Sequence, residues 1–312
     1  MRPSIAIVGS VADPHVRAVC ERLVTGARPV VIDYSAYLTR FAASIRHEPS
    51  GNVRLALDDP DIGTLDQVRT VWWRRPLAFA HRETEDHEHR RYLDIQSEFF
   101  WTGFLALLPP NTLWYNDWRA DHAADRNLLQ LRIATELGLT TPDTLVSSSA
   151  EEVAAFAPLH GEISFKSFGG SRRYWRPTAI YSSDAIAALW RHGSYPLIFQ
   201  EYIDGEYDYR VVCIDDHTTS VEFHTAQSRY PYDVRVDTSL PGREVILEEP
   251  VTSRLRRMCN RLGLRFAAFD LRRRRSGELV FLELNPAGQF LYLDQRAKTD
   301  IVGAMAHALC VN

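Results

Sequence analysis

Glu283 and Asn285 stand two residues apart in ELVFLELNPAGQF, an otherwise apolar run that begins at residue 278. Alternate side chains of a strand share a face, so Leu279, Phe281, Glu283 and Asn285 are expected on one side and Val280, Leu282 and Leu284 on the other. A carboxylate buried there without a partner costs several kcal/mol, so a cation is expected opposite Glu283. Asp270 ends the preceding apolar run, and a hairpin would bring it beside Glu283. Two carboxylates and one amide oxygen form an all-oxygen set, which suits Mg²⁺ bridging to nucleotide phosphates rather than zinc. The competing reading is an exposed strand end whose acids pair with nearby arginines.

Lys166 alternates with phenylalanines in SFKSFGG and precedes Gly169 and Gly170. A lysine so placed can reach phosphates while glycine backbone folds over them; the alternative is an ordinary surface lysine. In LIFQEYIDGEYDYR, backbone groups from Glu201 to Ile203 could hold the edge of an adenine, and Glu206 or Asp208 could hold ribose hydroxyls. The alternative there is an edge hairpin with a solvated turn.

These residues need strands to carry them. The chain opens strand, turn, helix, strand: residues 4–8, 9–10, 14–24 and 28–35. Such alternation predicts a parallel sheet. NVRLAL and VRTVWWRRP read as further strands, and residues 81–100 as a charged helix with an aromatic end. Pro109 and Pro110 mark a boundary. A helical segment runs from residue 117 towards Gly138, a C-cap position, and Ser148 or Ser149 caps the next helix. Strands follow at EISFK, on both sides of Asp204-Gly205, and at TTSVEFHT. A helix over residues 251–262 precedes the closing hairpin, whose tip is RRRSG.

The bulk numbers fit a soluble enzyme. The 312 residues are 45% hydrophobic and 24% charged with a net charge of −4, which disfavours a nucleic-acid partner. Four cysteines without a CxxC pair suggest neither a zinc knuckle nor a disulfide framework. No apolar run is long enough for a membrane span, and the N-terminus does not read as a signal peptide, so a cytoplasmic protein is expected. The four arginines of LRRRRSG read as a solvated hairpin tip.

Taken together, Lys166, QEYIDGEYDYRV, YDVRVD, FDLR and LELNPAGQF resemble the ATP-grasp ligases, and their order is most similar to the branch of ribosomal-protein glutamate ligases and graspetide (microviridin-type) peptide maturases. DRNLLQLRIATELGLTTPDTL resembles the start of that branch's central domain, and VWWRRP and NPAGQF resemble its peptide-maturing subgroup. The resemblance is densest from residue 125 onward and thin before residue 71. It implies a mixed α/β and α+β fold in three parts: an N-terminal α/β domain (1–115), a central lid (116–199) and a C-terminal α+β domain with the metal site (200–312). It also implies Asp270, Glu283 and Asn285 as Mg²⁺ ligands, Lys166 on the phosphates, Gln200, Glu201, Tyr202 and Ile203 as the adenine hinge, and Arg210 and Arg235 facing the triphosphate or acyl phosphate. Asn127 departs from the branch, which usually has lysine there; Arg126 would replace it, or the contact is absent.

The implied reaction phosphorylates an Asp or Glu carboxylate with ATP, after which a hydroxyl or amine displaces phosphate from the acyl phosphate. The maturases draw both groups from one precursor peptide with a leader segment and close ester or amide rings. In VWWRRP, Trp72 and Trp73 read equally as core residues, while Arg74 and Arg75 could hold an acidic group of the precursor or fix the domains around it. A small-molecule carboxylate–amine ligase and an ATP-binding protein without turnover are the alternatives. The sequence leaves the oligomeric state, a homodimer included, open.

Overall fold

The computed structural model describes residues 4–24, 27, 29–33, 42–57, 65, 68–76, 86–168, 178–190, 193–232, 234 and 236–311. Three sheets organise them.

The first is parallel, in the order β2-β1-β5-β6, from β1 (Ile5–Val8), β2 (Pro29–Ile32), β5 (Thr70–Trp73) and β6 (Leu113–Tyr115). The strands β3 (Ala43–His47) and β4 (Val53–Leu57) form a separate antiparallel hairpin, so NVRLAL is a strand but not part of that sheet. Both faces of the first sheet are covered, which is why its strands read as continuous apolar runs. Trp73 points into the core under the helix His87–Ala106, and Trp72 into a core shared with the C-terminal part of the chain. Both tryptophans are therefore core residues. Asp13 and Pro14 start the helix Pro14–Arg22 by side-chain capping and a preset first turn.

The second sheet is antiparallel, in the order β7-β10-β8-β9: β7 (Thr144–Ser147), β8 (Ile163–Lys166), β9 (Ala179–Ile180) and β10 (Leu197–Glu201). Alternation divides its faces. Ile163, Phe165, Leu197 and Phe199 pack with Val153 and Ile186 of two short helices, leaving Ser164, Lys166 and Gln200 on the other face. Ser149 is the cap of the first of those helices.

The third sheet is antiparallel, in the order β13-β12-β11-β14-β15: β11 (Tyr207–Ile214), β12 (His217–His224), β13 (Gly242–Val245), β14 (Phe266–Arg273) and β15 (Leu279–Asn285). Strands β10 and β11, joined through Asp204-Gly205, belong to different sheets and do not form a hairpin. The expected helix from residue 117 is two helices, Trp118–Ala124 and Asn127–Glu136, broken at Asp125-Arg126; Gly138 closes the second with φ of +79°. Their buried residues share a core with the helix Glu249–Leu262 and one face of the third sheet.

One side chain ties these parts together. Asn116 is buried between the first and third sheets. Its Nδ2 donates to the carbonyls of Phe266 and Pro286, both at 2.9 Å, and its Oδ1 accepts from the amides of Arg265 (2.8 Å) and Phe266 (2.9 Å). Replacing it with alanine strips partners from these backbone groups and is expected to lower the free energy of unfolding by about 2–4 kcal/mol. Urea denaturation with an unchanged m-value reads this directly; a change below about 0.5 kcal/mol would be that of an ordinary surface position.

Candidate functional site

The inner face of the second sheet and one end of the third sheet line a solvent-open cavity. In the third sheet the register is decisive. Arg210 on β11 lies opposite Asp270 on β14, and Asp270 opposite Glu283 on β15. A basic and two acidic side chains thus form one row across three strands. Arg210 Nη1 donates to Asp270 Oδ1 at 2.7 Å. Lys166 reaches across from the second sheet, its Nζ 3.3 Å from Glu283 Oε2, and Asn285 Nδ2 donates to Glu283 Oε1 at 3.1 Å. The cation expected opposite Glu283 is therefore Lys166, and Asp270, Glu283 and Asn285 come together.

The expected strict alternation of β15 does not hold. The register shifts between Asp270 and Leu271, so Asp270 pairs with Glu283 while Leu271 pairs with Phe281, leaving Leu282 as the extra residue. Leu279 and Phe281 consequently join Leu284 in the helix-covered core, while Leu282 and Glu283 line the cavity. The bulge lets a fully apolar run deliver two polar side chains to the other face.

The side of the cavity formed by residues 200–203 is organised by Arg272, which the sequence placed in a solvated hairpin tip and which is instead buried. Its side chain is buried and all five donors are used. Nε donates to the carbonyl of Ile203 (2.7 Å), Nη1 to Asp208 Oδ1 (2.8 Å) and the Pro231 carbonyl (3.2 Å), and Nη2 to the Tyr202 hydroxyl (2.9 Å) and the Gly205 carbonyl (2.8 Å). It fixes the segment 202–205, Asp208 and the loop carrying Tyr232 and Val234, all beside the cavity. Alternation from Asp270 along β14 was the signal that could have found it. Gln200, Glu201, Tyr202 and Ile203 line the cavity as expected; Gln200 Nε2 donates to Thr144 Oγ1, and the Glu201 carboxylate is held by Arg274 at 2.7 and 3.0 Å.

Several expected site residues lie elsewhere. Glu206 does not line the cavity, because its carboxylate turns to Arg275 at 3.2 Å. Arg126 precedes the helix that starts at Asn127, is exposed, donates to the Asp125 carbonyl, and is not among the cavity-lining residues. Arg74 is 1% exposed and cannot grip a partner from solvent. It donates to Asp13 Oδ2 (3.2 Å) and to the carbonyls of Ala287 (2.7 Å) and Gly288 (3.0 Å), so it fixes one part of the chain to another. Arg75 is exposed, with φ of +44°, an uncommon backbone conformation for a side chain of this size. Arg235 and the Gly169-Gly170 turn lie outside the described residues. The arginines of the 271–277 hairpin are internally engaged: Arg272 as above, Arg273 with the Tyr209 hydroxyl, Arg274 with Glu201 and Arg275 with Asp204.

The segment after the bulge is gripped from several sides. Gln130 exchanges two hydrogen bonds with the backbone of Leu284, between Glu283 and Asn285. Asn116 takes the Pro286 carbonyl, Arg74 those of Ala287 and Gly288, and Arg210 Nη2 that of Gln289 at 3.3 Å. Gly288 is required there: a Cβ would lie 2.5 Å from Ala268 Cβ and 2.7 Å from Arg210 Nη2.

For a divalent cation, the donor chemistry fits Mg²⁺: two carboxylates brought together by the sheet register and an amide oxygen, with Lys166 and Arg210 at hand for bound phosphates. Among the described residues no cluster of three or more His, Cys, Asp or Glu side chains forms, so protein carboxylates alone do not complete such a site.

No protein-family model matches the chain, and no curated protein does. Solved structures do. The chain is similar to macrocyclase MdnC of Microcystis aeruginosa MRC, solved with precursor peptide MdnA, at 21% identity and a TM-score of 0.86 over 99% of both chains. It is similar to a RiPP-associated ATP-grasp ligase of Chryseobacterium gregarium, solved with ADP and a leader and core peptide, at 21% identity and a TM-score of 0.86 over 99% of this chain and 97% of that one. The ATP-grasp ligase PsnB complexed with minimal precursor matches at 25% identity and a TM-score of 0.82, over 99% and 98%. The D-cycloserine synthetase DcsG matches at 16% identity and a TM-score of 0.57, over 97% and 98%. The chain has the ATP-grasp fold, and the resemblance read from the sequence is borne out.

Beside Arg74 lies Asp121, whose carboxyl is buried and pushed up to about 7, chiefly by desolvation and then by the charge of Asp125. An unfolded carboxyl ionises near 3.8. Between those values the folded state holds a proton that the unfolded state lacks, so stability from this group falls as pH rises across that window. Asp121→Asn, a neutral mimic, is expected to raise stability relative to wild type at about pH 8.5 and to change it much less at about pH 5. Equal effects at both values in urea denaturation would show that Asp121 does not titrate in this way.

Proposed function

We propose that the chain is an ATP-dependent ligase that activates Asp or Glu side chains of a precursor peptide as acyl phosphates and closes ester or amide rings. The observation that carries this reading is the Arg210–Asp270–Glu283 row with Lys166 facing it across the cavity. It supplies acids for a metal and cations for phosphates within one enclosure, and neighbouring structures of the same fold were solved with precursor peptides, ADP and Mg.

In this reading Asp270, Glu283 and Asn285 hold Mg²⁺, which neutralises charge on the transferring phosphoryl oxygens when bound. Lys166 and Arg210, which pair with Glu283 and Asp270 here, turn towards the phosphates. Gln200 to Ile203 carry the adenine, and Asp208, oriented by Arg272, is the ribose acceptor. The second sheet acts as the lid over the nucleotide. Arg74 organises the site indirectly. Arg75, exposed beside it, remains the candidate to meet an acidic group of the peptide. Phosphate leaves as the peptide's hydroxyl or amine attacks the activated carbonyl, so the residues need only position and stabilise, and none acts as a covalent nucleophile. The likeness to DcsG keeps a small-molecule ligase as the second reading.

Incubation of the protein with ATP, Mg²⁺ and a precursor peptide that carries a leader and a core rich in Thr/Ser/Lys and Asp/Glu is expected to give ADP and loss of one water per ring by mass spectrometry. Glu283→Gln should abolish ADP formation while leaving the fold intact, and normal turnover in that variant would refute the metal role. A free amino acid or isolated core segment ligated as well as the full peptide would favour the second reading.

Lys166→Ala is expected to weaken ATP binding by about tenfold or more, the loss of one charge-assisted phosphate contact. Calorimetric titration with an ATP analogue checks it; unchanged affinity would make Lys166 a partner of Glu283 alone.

A further inference from the structure

We propose that His15 is a positioning residue for the reaction: its neutral imidazole holds the 286–291 turn so that the turn aims Arg210 across the cavity. This rests on the ligase reading above.

His15 lies on the helix Pro14–Arg22, in the N-terminal part of the chain, and is 6% exposed. Its Nδ1 lies 2.9 Å from Asp13 Oδ1, a carboxylate that can only accept, so Nδ1 carries the proton. Its Nε2 lies 3.1 Å from the amide nitrogen of Phe290 and 3.2 Å from that of Leu291. Both are donors, so Nε2 must present its lone pair. The geometry therefore selects one tautomer of the uncharged ring. The Phe290 ring packs edge-on against it at 4.8 Å.

The turn held this way is the one that touches Arg210. Gln289, next to Phe290, accepts from Arg210 Nη2, and Gly288 lies so close that a Cβ there would collide with the same nitrogen. Arg74 grips the turn's other carbonyls, and Asp13 joins Arg74 to His15. Arg210 is thus fixed on one side by Asp270 and on the other by a turn whose backbone depends on His15. When a metal draws on Asp270, the turn still restrains this guanidinium through the Gln289 carbonyl. An arginine that stabilises charge developing on a phosphoryl group acts through its placement, so loosening the turn should cost turnover rather than ATP affinity.

The arrangement also has a pH sign. A proton on Nε2 would set an N–H against two N–H groups and release the turn. The charged groups facing the ring are Asp13, which favours its protonation, and Arg74 and Arg75, which oppose it together with burial. Burial is the largest influence and pushes the imidazole below its ordinary range, so the turn stays held at neutral pH and is released in acid.

The test compares wild type, His15→Ala and His15→Gln, whose side-chain oxygen can replace Nε2 as acceptor but does not titrate. Two readouts are followed: amide hydrogen exchange of the 286–291 segment, which needs no substrate, and kcat and KM for ATP across pH. His15→Ala is expected to speed exchange of that segment and to lower kcat by about tenfold with KM for ATP changed less than about twofold. His15→Gln is expected to keep most of the wild-type kcat at neutral pH and to lose the acid-side decline assigned to His15. Unchanged exchange in His15→Ala overturns the hold on the turn. Faster exchange with unchanged kcat, or an acid limb in His15→Gln identical to wild type, overturns its link to Arg210. If wild type forms no ADP with any carboxylate, the ligase reading falls and the catalytic half of this proposal with it, while the exchange arm still decides whether His15 holds the turn.

Discussion

A chain that leaves a sheet and turns tightly under other elements must find partners for its backbone groups, because a buried amide or carbonyl without one costs about as much as a lost hydrogen bond. Residues 284–291, which start between the two polar residues of β15, face this constraint directly. Gln130, Asn116, Arg74, Arg210 and His15 supply those partners from five separate places in the chain. The first sheet and its helix are therefore not merely attached to the parts that form the cavity. They supply three of the five side chains that set where the acidic strand ends and where Arg210 sits.

The charge pattern follows from the same frame. Sheet register puts Arg210, Asp270 and Glu283 in one row, and the second sheet sets Lys166 against its end. Each acid is paired with a cation, which relieves the cost of holding carboxylates in a partly enclosed site. In the proposed reading the metal would take the acids and the phosphates the cations. Arg272 serves the other end of the cavity, where it fixes backbone geometry and holds the Asp208 carboxylate.

Much of this was legible in the sequence, and the parts that were not have identifiable causes. The Asp270–Glu283 pair could be read because a hairpin links sequence spacing to spatial neighbours. A cation could be expected opposite Glu283 because a carboxylate in an apolar run needs compensation, but that it is Lys166 comes from the structure. The faces of Leu279 and Phe281 were misassigned because a bulge at Leu282 leaves no trace in an unbroken hydrophobic run. The strands around Asp204-Gly205 read as a hairpin because local turn chemistry cannot reveal that each strand has partners in a different sheet. Arg74 was linked to recognition or to domain fixing, and only burial decides between them: a guanidinium at 1% exposure serves the fold. His15, Asn116 and Gln130 carried no signal, since their partners are backbone atoms some 150 to 275 residues away.

In the proposed reading the cavity's internal ion pairs occupy the places that a metal and a nucleotide take. A crystal structure of the protein with Mg²⁺ and a non-hydrolysable ATP analogue tests it most directly. Mg²⁺ is expected between Asp270 and Glu283, with Lys166 moved from Glu283 to a phosphate oxygen and the 286–291 turn in place against Arg210. A nucleotide bound away from this cavity, or Mg²⁺ held without either carboxylate while Lys166 remains on Glu283, would contradict it.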